Sequence, residues 1–128
     1  MNSSFTVDFA NDHIRVRYPT NYEITPENQQ RLWTTIGDAC RKYNCHRVLA
    51  ESPTLPRRKM SQPDAFKSAG LAAKAANDLR MAFLYPEEYQ TDQLTEFFIS
   101  VAYNHGVRFE FFSDRENALK WLCADCFN

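Results

Sequence analysis

The sequence predicts an α/β fold: one mixed five-stranded sheet, made of an N-terminal antiparallel hairpin and then parallel strands, carrying four helices in the order β-β-α-β-α-β-α-β-α. Three observations predict it. Apolar and polar residues alternate along the first two segments and the last strand-like one. Apolar residues at helical spacing separate every later pair of strand-like runs. Capping residues or a closing glycine mark the helix ends. Strands separated by helices run parallel through right-handed crossovers, and the hairpin adds an antiparallel edge.

Phe5-Thr6-Val7-Asp8-Phe9 and His13-Ile14-Arg15-Val16-Arg17-Tyr18 alternate around Asn11-Asp12, as half-buried strands joined by a turn do. Thr25-Pro26-Glu27 then supplies a cap, a proline for the first helical position and an early acid, and Leu32, Ile36, Ala39/Cys40 and Tyr43 continue at helical spacing. His46 to Ala50 reads as a strand that Pro53 and Pro56 stop. Ser61-Gln62-Pro63-Asp64 is a capping box, and Phe66, Ala69, Ala72/Ala73 and Ala76 form a narrow stripe for lying close on a sheet. Gly37 and Gly70 inside these helices cost about 1 kcal/mol each against alanine, which close packing would offset. Arg80 to Tyr85 is a near-continuous apolar run, the pattern of a strand covered on both faces and placed at the sheet centre. A helix from about Thr91 to Asn104 directs Leu94, Phe97, Phe98 and Val101 inward, and Gly106 follows where a left-handed cap is wanted. Val107 to Phe112 alternates as the last strand. Ser113-Asp114-Arg115-Glu116 opens the last helix, with Ala118, Leu119 and Leu122 on its buried side.

At 128 residues, 44% of them hydrophobic, the chain is large enough for a core of its own, and residues 1–128 are expected to form a single domain. Fifteen basic and sixteen acidic side chains leave a net charge of −1, too little field to gather nucleic acid. With no signal-peptide pattern at Met1-Asn2-Ser3-Ser4-Phe5 and no long apolar run, neither export nor membrane insertion is expected. Four cysteines in a chain so rich in core residues read as reduced thiols, so the expected location is the cytoplasm.

The strand His46-Arg47-Val48-Leu49-Ala50-Glu51 and the run from Asn104-His105-Gly106-Val107-Arg108-Phe109 through Phe112-Ser113-Asp114 to Ala118-Leu119-Lys120-Trp121-Leu122 carry a resemblance. With the preceding hairpin and helix, they resemble the STAS-like family, the SpoIIAA-like fold of the anti-anti-sigma factors, and more closely its bacterial single-domain STAS/Sec14-like branch. The resemblance implies a binding or regulatory module without naming its ligand. Anti-anti-sigma members carry a phosphorylatable serine in an Asp-Ser pair where Ser61 stands. Here Met60-Ser61 replaces that pair.

In parallel α/β sheets ligands gather at the carboxyl ends of the strands. That rim is expected to collect Glu51 to Ser61, Tyr85 to Gln90 and Phe112 to Asp114. The candidate ligand-binding residues are Glu51, Arg57, Arg58, Lys59, Ser61 and Tyr85, because a basic loop before a helix N-terminus suits a phosphate or carboxylate. The plainer reading is a solvated basic loop and a capping serine. Glu51, Glu87 and Glu88 would be an acid/base pair only if burial drove their pKa values apart, and no Gly-x-Ser-x-Gly elbow is present.

Cys123-Ala124-Asp125-Cys126 has zinc-knuckle spacing, and Cys40 with Cys45 has a spacing that zinc sites tolerate. Both pairs follow helix ends on the rim opposite the ligand edge. Cys40 lies on the apolar stripe of its helix, where a thiol packs as a small hydrophobe, so no metal is expected. His13, His46 and His105 are scattered. The sequence therefore reads as a non-enzymatic module with no cofactor, binding a partner protein or a small anionic or lipid-like ligand. The alternative is a small enzyme using Glu51, Arg57, Arg58 and Ser61.

Overall fold

The computed structural model describes residues 5–123. Its sheet has the strand order β1-β2-β4-β6-β7, with β1 (Thr6–Phe9), β2 (Ile14–Arg17), β4 (Arg47–Glu51), β6 (Arg80–Leu84) and β7 (Arg108–Phe112). Only β1 and β2 pair antiparallel; β2, β4, β6 and β7 run parallel. The helices are α1 (Pro26–Tyr43), α2 (Gln62–Ala75), α3 (Gln93–Asn104) and α4 (Arg115–Leu122). This is the predicted order of elements.

Each new parallel strand joins on the same side of the one before it. A right-handed crossover repeated in one direction puts every connecting helix on one face. Accordingly Leu32, Trp33 and Ile36 of α1, Ala69 and Ala72 of α2 and Ala102 of α3 share one core with Val48, Ala50, Met81 and Phe83. The opposite face is left to α4, which packs Ala118 and Leu122 on Leu49 and Ala82. There the outer strand positions are charged: Arg15 donates to Asp8 at 3.1 and 3.2 Å. The guanidinium of Arg80 lies 4.6 Å from the Trp121 ring.

A second, two-stranded parallel sheet joins β3 (Glu23–Ile24) to β5 (Arg57–Arg58). Two-residue strands carry no periodicity, and β5 falls within the segment read as loop. This ribbon holds the long β4–α2 connection against the start of α1.

Local chemistry explains most boundaries. Thr25 caps α1 by accepting from the Asn28 amide, and Ser61 and Asp64 form the predicted capping box of α2. One cap differs from the predicted box. Asp92 caps α3 and Asp114, rather than Ser113, caps α4, since a carboxylate is the stronger acceptor for the free amides. Of the predicted stripe of α2, Ala69, Ala72 and Ala76 are buried, but Phe66 is 54% exposed and Ala65 and Ser68 take the inward positions of the first turns. Small side chains let α2 approach its neighbours, and the bulk of Phe66 is left outside. Gly37 marks that close approach, because an added Cβ would meet Ala75 O at 3.2 Å. Gly70 does not; a Cβ there would meet nothing within 4 Å. Gly106 takes the left-handed conformation (φ +85°) after α3, as its position predicts. β4 rather than β6 is the middle strand, although β6 is flanked on both sides and buried along its centre.

Candidate ligand site at the carboxyl rim

The parallel strands end together at Arg17, Glu51, Leu84 and Phe112, and their ladder continues past the strand ends. Tyr18 N–H donates to Glu51 O at 2.8 Å, Ser52 N–H to Leu84 O at 3.0 Å and Tyr85 N–H to Phe112 O at 2.9 Å. Tyr85 thus has a backbone held on the rim, and its buried ring divides two hollows.

On the three-helix side lies an apolar slot of about 70 Å³. Tyr18, Tyr22, Phe83, Tyr85, Tyr89 and Phe111 form much of its wall. The rings lock one another: Tyr18–Tyr22 centroids are 4.6 Å apart, Phe83–Phe111 4.8 Å and Tyr85–Tyr89 5.3 Å. Burial raises the phenol pKa values of Tyr18, Tyr22 and Tyr85, so these hydroxyls stay neutral. Gln29, Ser68 and Thr95 are the buried polar residues of the slot among the described residues, and all three are hydrogen-bonded. Tyr22 donates to Gln29 Oε1 (2.9 Å), while Gln29 Nε2 (3.3 Å) and Trp33 Nε1 (2.8 Å) donate to Ser68 Oγ.

Among the described residues, Arg58 is the single charged side chain in the slot's lining. β5 delivers it there, and the start of α3 receives it: Arg58 Nη1 lies 2.5 Å from Asp92 Oδ2 and 3.3 Å from Thr95 Oγ1, which Tyr89 also reaches at 3.0 Å. Asp92 accepts the Thr95 amide at 2.9 Å. That amide bond first, and then Arg58, hold the Asp92 carboxyl down at about 2, below the usual carboxylate range.

On the α4 side lies an open groove of about 460 Å³, lined by Glu51, Arg17, Arg115 and Tyr85 among others. Glu51 Oε2 accepts from Arg17 Nε at 3.3 Å, and its other oxygen pairs with Arg115. Its side chain is only 13% exposed, whereas both arginines are about half exposed. The carboxylate is therefore neutralised twice by residues outside the predicted set.

The six predicted residues separate accordingly. Tyr85 lines both hollows, Arg58 only the slot and Glu51 only the groove. Arg57 is exposed on β5, Lys59 pairs with Glu23 at 2.9 Å, and Ser61 Oγ accepts the Asp64 amide at 3.3 Å as a cap. Arg57-Arg58-Lys59 runs as extended chain along β3, so alternate side chains point to opposite sides and Arg58 is separated from Arg57 and Lys59. Tyr18, Tyr22 and Thr95 also line the slot, and Asp92 pairs with its arginine; none of the four is in the predicted set. Asp92-Gln93-Leu94-Thr95 is legible as a cap signal, but its meeting with Arg58 is not local. Cys126 lies outside the described residues. Cys40 is core, its thiol pushed up to about 11 by burial.

Comparison with known proteins agrees with this architecture. An uncharacterized DUF3478-family protein with a SpoIIAA-like fold, from Shewanella loihica PV-4, superimposes with a TM-score of 0.55 at 20% sequence identity, covering 94% of this chain and 93% of that one. The fold is SpoIIAA-like. No family model matches the sequence, and no curated protein does. In this SpoIIAA-like chain no helix among the described residues is long and apolar enough to cross a membrane.

Proposed function

We propose that this SpoIIAA-like chain is a non-enzymatic binding module of the cytoplasm whose ligand is a small amphipathic anion, with its apolar body in the aromatic slot and its head group at Arg58. The observation that carries this reading is the slot itself: largely apolar walls, buried polar groups already committed to neighbours, and the Arg58 guanidinium at the carboxyl rim. Arginine matches a carboxylate or phosphate head in two-pronged geometry, and the Asp92 carboxylate already pairs with this guanidinium through Nη1. The volume sets the size of the guest. About 70 Å³ is roughly half of a cavity that admits benzene, so the guest is a short chain, or a longer one that parts the β3–β5 ribbon from α3.

The enzyme alternative would need Glu51, Arg57, Arg58 and Ser61 around one reacting centre, and these residues are spread over two hollows and a helix cap. Native mass spectrometry of freshly purified protein, followed by titration with short-chain fatty acids and alkyl phosphates, tests the proposal. Binding that weakens at least about tenfold in Arg58→Ala, and again when Ser68→Leu fills the slot floor, is the expected result. Equal binding in both variants, or capture of a protein partner with no small molecule bound, rejects it.

A further inference from the structure

The opposite rim carries a different chemistry. Asp12 ends the β1–β2 turn and His13 begins the return to the sheet, with the imidazole Nδ1 2.7 Å from Asp12 Oδ1. Cys123 closes α4. Because α4 runs back across the sheet from the carboxyl rim, it delivers its last residue to this turn, beside the Asp12 carboxylate. His13 and Cys123 are 7% and 5% exposed. One ligand atom from each of Asp12, His13 and Cys123 lies within 4.8 Å of the other two.

We propose that Asp12, His13 and Cys123 bind one Zn²⁺ ion, which clasps the hairpin turn to the end of the last helix. The donor set is one oxygen, one imidazole nitrogen and one thiolate sulfur, a combination that suits zinc and disfavours magnesium or calcium. A tetrahedral ion with bonds of about 2.0–2.3 Å holds its ligand atoms about 3.3–3.8 Å apart. Closing onto it from the present spacing takes about 1 Å of side-chain movement. On binding, the Cys123 thiol proton leaves to solvent and the sulfur bonds the ion; the imidazole binds through its unprotonated nitrogen. The fourth position belongs to water. Two of the three ligands are buried and come from opposite ends of the chain, so the ion would tie together parts that the sheet joins only through its edge.

The test uses the full chain, stripped with a chelator and titrated with Zn²⁺ and then Co²⁺. One equivalent per chain, a thiolate-to-cobalt charge-transfer band and a raised Tm with Zn²⁺ are expected. Cys123→Ser should lose the band, and Asp12→Asn should weaken Zn²⁺ binding at least about tenfold. Asp12 is half exposed, so its variant stays informative if Cys123→Ser fails to fold. No stoichiometric uptake, a cobalt spectrum without the thiolate band, or a band that survives in Cys123→Ser overturns the site.

Discussion

Arg58 and Asp92 meet at 2.5 Å across the mouth of the aromatic slot, joining a two-residue ribbon strand to the first turn of α3. Asp92 is at once the cap of α3 and the partner of the slot's cation, so one carboxylate couples helix start and ligand mouth.

That coupling has a pH signature. The Asp92 carboxyl is held at about 2, below its unfolded value of 3.8. A depressed carboxylate adds stability that is complete above its unfolded pKa and is lost as pH falls from about 4 through about 2. In Arg58→Ala the Asp92 carboxyl should titrate higher, yet still below 3.8, because the Thr95 amide bond remains. Carbon-detected NMR titration checks this. An unchanged midpoint would show that Arg58 does not act on Asp92 in solution.

Gly37 and Gly70 should respond oppositely to alanine. At Gly37 the new methyl would press on the Ala75 backbone oxygen at 3.2 Å, and forcing α1 from α2 costs about 1–3 kcal/mol. At Gly70 the methyl enters open space and the gain in helix propensity is about 1 kcal/mol. Urea denaturation of both variants should move the midpoints in opposite directions.

Ser68→Ala should destabilise by about 1–3 kcal/mol, although it removes a single oxygen. Trp33 Nε1 and Gln29 Nε2 both donate to that hydroxyl in a buried setting, and the variant leaves both without it. Thermal unfolding reads the loss; a change within about 0.5 kcal/mol would mean that water replaces the hydroxyl.

Glu51→Gln should cost more than Arg17→Ala or Arg115→Ala alone. Glu51 holds both guanidiniums from a nearly buried position, while either arginine leaves it one partner. Denaturation midpoints of the three variants rank the effects.

The order of elements, the hairpin, the parallel direction of later strands and the capping box at Ser61 were all legible in the sequence. Each rests on information within a dozen neighbouring residues: alternation, helical spacing, a cap, a left-handed glycine. The right-handed crossover rule then left one arrangement of helices for a sheet that grows in one direction. The composition of the sites was legible only in fragments. Arg58 and Tyr85 were identified and do line the slot, but Glu51 faces the other side of the sheet and Ser61 is spent on its helix. The β3–β5 ribbon is too short for any periodicity to announce it. The pairing of Arg58 with Asp92, and the convergence of Asp12, His13 and Cys123, were decided by tertiary structure alone. In each case segments far apart along the chain meet because strand order and helix packing bring them together, and no local pattern records where a side chain's distant neighbour will stand.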